Sequence, residues 1–172
     1  VHRAPEHTLR TARDRELAPW PHAVLDVAAL RRAGQRPYPF RQFVLKVHGR
    51  CNLDCTYCVI YQGQDAGWRE RPARVGPEVM RQTARRIAEH AVVHGLSEVR
   101  IDLHGGEPLL SGPESALAYT AAVRAALPAR TALRTTVQTN GTLITEHTLD
   151  RLADANIRVG LSLDGGNAVL NR

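Results

Sequence analysis

The chain has 172 residues, 43% of them apolar and 23% charged. That is enough for one domain with its own core, and too ordinary a composition for a disordered or fibrous class. No apolar run approaches the length of a membrane span, and the polar stretch Val1 to Leu17 has no secretion-signal core, so a cytoplasmic protein with no membrane partner is expected. The net charge of +6 is almost all arginine, Lys46 being the only lysine, and aromatic residues make up 5%; basic side chains on solvated faces with few stacking rings disfavour nucleic acid as a partner.

Residues 1–40 read as an N-terminal extension, broken by Pro5, Pro19, Pro21, Pro37 and Pro39, with one short helix over Ala23 to Arg32. Residues 41–172 read as the core. Phe43 to His48 predicts a buried strand. Gly76-Pro77-Glu78 opens a helix whose apolar face is Met80, Ala84, Ile87, Ala88 and Ala91, and Gly95 ends it. Val99, Ile101 and Leu103 alternate as a second strand. Gly112-Pro113-Glu114 opens a second helix that runs to Leu127, before Pro128. Leu133, Thr135 and Val137 mark a third strand. Thr145 caps a third helix with Leu149, Leu152 and Ala153 inward, and Ile157 to Leu163 makes a fourth strand.

Strand followed by helix, repeated, implies an α/β fold with a parallel sheet and right-handed crossovers. Each predicted strand ends in a cluster of small or polar residues. These are Cys51 to Cys58, His104-Gly105-Gly106-Glu107-Pro108, Gln138-Thr139-Asn140-Gly141-Thr142, and Ser162-Leu163-Asp164-Gly165. Clusters at successive C-terminal strand ends converge on the face where (β/α) barrels keep their active sites. A complete barrel needs about 250 residues. Four strands are present, so the expectation is a partial (β/α) TIM-type barrel of about four β/α units, with the later units absent.

All three cysteines lie in Cys51-Asn52-Leu53-Asp54-Cys55-Thr56-Tyr57-Cys58, spaced C-x3-C-x2-C. An odd count packed into one loop is not a disulfide framework. A cubane iron–sulfur cluster has four thiolate sites. Three thiolates therefore leave one iron open to a small molecule. The alternative is structural zinc with His48 or His104 as fourth ligand, but zinc pairs favour C-x2-C spacing.

With an aromatic residue, Tyr57, before the last cysteine, this loop resembles the signature of the radical S-adenosylmethionine (SAM) superfamily. Gly105-Gly106-Glu107-Pro108-Leu109-Leu110, Thr139-Asn140-Gly141-Thr142 and Leu161-Ser162-Leu163-Asp164-Gly165 fit the same pattern in order, over residues 38–172. Within the superfamily the motifs are read as closest to the SPASM-type peptide maturases, in particular the FxsB-like enzymes that form cyclophane crosslinks.

The resemblance implies a 4Fe–4S cluster on Cys51, Cys55 and Cys58, with SAM chelating the open iron. It also implies reductive cleavage of SAM to a 5′-deoxyadenosyl radical, hydrogen abstraction, and crosslinking of a ribosomal precursor peptide. A reducing donor such as a flavodoxin or ferredoxin would supply the electron. SAM would be held by Tyr57, by Gly105, Gly106, Glu107 and Pro108, by Asn140 and by Ser162. Glu107 either accepts from the SAM amine or fixes its turn, and Asp164 either accepts a substrate proton or caps a turn. Val59 stands where close relatives have tyrosine, and no further cysteines are present for auxiliary clusters. The alternatives are another protein-modifying radical SAM enzyme, such as a sulfatase-type maturase, and a non-catalytic cluster- or zinc-binding remnant.

Overall fold

A computed structural model describes residues 25–167. The chain divides into two compact units between Tyr38 and Pro39. In the first, α1 (Val27–Arg32) starts at Asp26, whose Oδ1 accepts from the Ala29 amide at 2.8 Å. Side-chain capping explains why this helix begins later than the expected Ala23; Ala23 itself lies outside the described residues.

The second unit contains a four-stranded parallel sheet in the order β1 (Gln42–His48), β2 (Glu98–Gly105), β3 (Ala132–Thr139), β4 (Ile157–Leu161). Between the strands run α2 (Pro77–Val93), α3 (Glu114–Ala126) and α4 (Glu146–Asp154). Sequential order with parallel pairing at every step places successive crossovers on one face. The result is a partial parallel (β/α) barrel of about four units.

The core lies between the sheet and its helices. Val47, Val99, Ile101, Leu103 and Val137 are fully buried on the strands. Met80, Ala84, Ile87, Ala88 and Ala91 of α2 meet them, with Ala116, Tyr119 and Val123 of α3. The α2 residues recur at the spacing that puts them on one helical stripe. Burying each large aliphatic side chain contributes roughly 1.5–3 kcal/mol. On the opposite face of α2, Arg81 pairs with Glu78, and Arg85 and Arg86 pair with Glu89, all exposed.

The other face of the sheet is polar. Lys46, Arg100, Asp102, His104 and Gln138 alternate with the core residues along β1, β2 and β3. Asp102 accepts from Arg100 on its own strand and from Gln42 across on β1.

Three local expectations are corrected. β1 is only half-buried: Val44 is 63% exposed, because it projects from the face without helices. In α4 the inward residues are Thr148 and Leu152, while Leu149 and Ala153 are exposed. Thr145 caps α4 by accepting from the Thr148 amide, and the 148/152 stripe then faces the sheet; 149 and 153 lie one step, about 100°, around the helix. β4 stops at Leu161, where the Ser162 amide donates to the Thr139 carbonyl and pairing ends.

Candidate functional site

The loops after the four strands are tied to one another by hydrogen bonds. The first contact is backbone to backbone. The Gly106 amide donates to the His48 carbonyl at 3.0 Å, and the Glu107 amide to the Arg50 carbonyl at 2.8 Å. Glycine is required for this approach. A Cβ on Gly105 would sit 2.3 Å from the His48 oxygen, and one on Gly106 would sit 2.3 Å from the Arg50 oxygen.

Glu107 is fully buried. Its Oε1 accepts from the Leu109 amide and the Thr139 hydroxyl, both at 2.8 Å, and its Oε2 from the Asn140 amide at 2.9 Å. The carboxylate thus fixes its own turn and joins the end of β2 to the end of β3. Pro108 beside it is also buried. Burying a carboxylate is costly unless donors surround it, and here three do.

Asn140 then joins β3 to the cysteine loop. Its Nδ2 donates to Asn52 Oδ1 at 3.0 Å and lies 3.9 Å from Cys51 Sγ. Its Oδ1 accepts from the amide and hydroxyl of Thr142, and Thr142 Oγ1 accepts from Asn52 Nδ2. Gly141 takes φ of 81° to close this turn. Beyond the backbone bond from Ser162 to Thr139, the segment after β4 is joined through side chains. Ser162 Oγ accepts from Gln138 Nε2 at 2.9 Å. The exposed phenol of Tyr57 donates to Asp164 Oδ2. That hydrogen bond holds the Tyr57 pKa well above the ordinary phenol value.

Cys51, Cys55 and Cys58 are free and half-buried. The Cys58 amide donates to the Cys55 carbonyl and the Leu53 amide to Cys51 Sγ, so the loop is folded back on itself. Among the described residues no three His, Cys, Asp or Glu side chains are gathered tightly enough to hold a metal. The donor chemistry nevertheless suits an iron–sulfur cluster: three free thiols on one loop, partly accessible. His48 Nδ1 accepts from the Arg50 amide at 3.1 Å and is 5% exposed, so this imidazole serves the loop backbone.

Three contributors escape sequence patterns. Arg50 donates to four carbonyls: Gly49 and Trp68 through Nη1, Arg69 and Arg71 through Nη2. It pins the strap of residues 67–75, which includes a 3-10 turn at Gly67–Arg69, beside the cysteine loop. Residues 73–75 of the strap pair with the outer edge of β1, the Gly49 amide donating to Ala73 and the Val75 amide to Val47. Asn52 is an unremarkable polar residue until Asn140 and Thr142 reach it. Tyr61, three residues past the last cysteine, stands edge-on to Trp68 with ring centres 4.7 Å apart. Only the Tyr-x3-Tyr spacing across Cys58 hinted at a second ring near the thiols. Among the described residues no helix is long and apolar enough to cross a membrane.

A profile described as the Radical SAM superfamily matches residues 45–172. The serine-type anaerobic sulfatase-maturating enzyme of Klebsiella aerogenes is 30% identical over 156 residues, which is 85% of this chain and 36% of that protein. The cysteine-type anaerobic sulfatase-maturating enzyme of Clostridium perfringens is 29% identical over 133 residues, 77% of this chain and 35% of that protein. A solved structure of native anSMEcpe with bound AdoMet and the Cp18Cys peptide aligns with a TM-score of 0.59 at 27% identity, over 75% of this chain and 33% of that one. The chain spans about a third of the length of these relatives. They correct the expected branch: the resemblance is to anaerobic sulfatase-maturating enzymes, and the FxsB-like reading and its peptide-crosslinking reaction fall with it. The reason is physical. Strand-end motifs common to a whole superfamily do not separate its branches, which differ in their substrate contacts.

Proposed function

Because the chain belongs to the radical SAM superfamily, we propose that its strand-end loops hold a 4Fe–4S cluster and SAM and act on a serine or cysteine side chain of a protein substrate. The observation that carries this is the junction of the three-thiol loop with the Gly-Gly-Glu-Pro and Asn-Gly loops through Arg50, Asn52, Glu107 and Asn140. The substrate class follows the serine-type and cysteine-type sulfatase-maturating relatives.

In this reading Cys51, Cys55 and Cys58 hold the cluster. Gly105, Gly106, Glu107 and Pro108, with Asn140, Ser162 and Tyr57, form the SAM pocket. Residues 41–172 are the core of the domain and residues 1–40 an extension to it. The bound cofactors supply hydrogen-atom abstraction; the protein supplies position and protection. Glu107 holds two loops at one spacing. Asn140 orients the loop of Cys51. Tyr57, bound to Asp164, bridges the cysteine loop to the end of β4 and covers the site from water. An electron donor such as a flavodoxin or ferredoxin completes the reaction.

The test is anaerobic reconstitution with iron and sulfide, followed by EPR of the reduced protein with and without SAM. The expected result is a 4Fe–4S signal that SAM perturbs and that Cys55→Ser removes. Peptides presenting serine or cysteine should then lose hydrogen from that side chain as 5′-deoxyadenosine forms. A protein that binds no cluster, or one whose signal ignores SAM, would sink the proposal.

A further inference from the structure

The phenol of Tyr61 is a buried donor with nothing to donate to. Among the described residues it is one of three buried side-chain polar atoms without a hydrogen-bond partner. The other two are the hydroxyls of Thr120 and Thr135, on α3 and β3 within the core unit. An unsatisfied buried hydroxyl costs about 1–3 kcal/mol, and phenylalanine would avoid that cost in the same space.

The ring is held firmly. Trp68 meets it edge-on at 89°, and the Lys46 ammonium stands 6.0 Å from its centre. The Gln62 amide donates to the Cys58 carbonyl at 2.9 Å, so the chain turns back on the cysteine loop at this point. The hydroxyl is seated against Gly106, where a Cβ would stand 2.4 Å from Oη. The neighbouring Arg50 carbonyl is already occupied by the Glu107 amide. A phenol is protonated at neutral pH, so this hydroxyl is available as a donor.

We propose that Tyr61 is a positioning residue whose phenol donates a hydrogen bond to a sulfur of the cluster held by Cys51, Cys55 and Cys58, and so raises the potential at which that cluster accepts an electron. This rests on the cluster-binding reading above. Sulfur ligands gain charge on reduction, and a donor aimed at them favours the reduced state; hydrogen bonds to sulfur are among the determinants of cluster potential.

The test compares wild type with Tyr61→Phe after reconstitution, measuring iron and sulfide content and then the midpoint potential by EPR-monitored titration, first without SAM. The expected result is equal iron content and a more negative potential in the variant. An unchanged potential at equal iron content overturns the proposal and leaves Tyr61 as packing. A potential that differs only when SAM is present would place the hydroxyl on the cofactor, which also overturns it. If Tyr61→Phe loses iron, 3-fluorotyrosine placed at position 61 keeps the ring and strengthens the donor; the potential should then move positive, and a constant value overturns the proposal. A wild-type protein that takes up no cluster removes the underlying reading as well, and is told apart by its iron content alone.

Discussion

The hydroxyl of Thr139 donates a 2.8 Å hydrogen bond to Oε1 of Glu107, and both side chains are buried. The two residues are 32 positions apart. They sit at the ends of adjacent strands, and their contact makes one rigid piece of two loops. With the Asn140 and Leu109 amides on the same carboxylate, Glu107 is the centre of the site's frame.

Replacing Glu107 by alanine leaves three donors without an acceptor. Glu107→Ala is expected to lower the unfolding free energy by about 3 kcal/mol or more, and Glu107→Gln by less, because one amide oxygen still accepts. Urea unfolding checks this as a lower midpoint at constant slope. A midpoint equal to that of wild type would show that the network adds nothing to stability.

Gly105 and Gly106 are predicted to tolerate no side chain. Alanine at either position drives a Cβ to 2.3 Å from a backbone oxygen, which cannot rotate away. Each substitution should cost roughly 1–3 kcal/mol from overpacking. Gly166→Ala is the control, since its Cβ would meet nothing within 4 Å. Thermal unfolding of the three variants should separate the first two from the third.

Arg50 is expected to resist conservative replacement. Lysine offers one ammonium where the guanidinium fork reaches the carbonyls of Trp68, Arg69 and Arg71 together. Arg50→Lys should cost about 2 kcal/mol and loosen the strap locally. Hydrogen exchange and limited proteolysis read this out: faster exchange and new cleavage near residues 68–71 are expected, with α2 unchanged. Equal protection in both proteins would rule out the clamp.

His104 links stability to pH. Burial, and then the positive charge of Lys46, depress its pKa below 6.5. Lys46 is its cross-strand partner in the register of β1 and β2. A folded-state value below the unfolded one means the unfolded chain binds the proton more readily. The stability contribution is therefore complete above 6.5 and is lost as pH falls from there through the depressed value. His104→Gln should flatten the pH dependence of the urea midpoint in that window. Lys46→Met should move the imidazole titration upward when followed by NMR. A histidine that titrates at its ordinary value in wild type would contradict both.

Much of the architecture is legible in order of residues alone. The five apolar residues that α2 buries lie at the periodicity of one helical stripe, and the Gly76-Pro77-Glu78 start needs only local chemistry. The four strands, and the clusters that follow them, are local in the same sense. What is not legible is which residues of those clusters meet. Glu107 reads as a ligand-facing acid as readily as a strut, and that its carboxylate takes three donors from two different loops shows only in the tertiary structure. Leu149 reads as core until the cap at Thr145 sets the rotation of α4.

By itself, then, the sequence determines a run of strand and helix units with three thiols and small-residue turns at the strand ends, because periodicity and turn chemistry act between near neighbours in the chain. Tertiary structure alone decides that Arg50 clamps a strap, that Asn52 reaches Asn140 and Thr142, and that the Tyr61 hydroxyl is buried without a partner against Gly106. Those contacts join residues far apart in the chain. They depend on strand register and on the path of each loop, which no local pattern encodes.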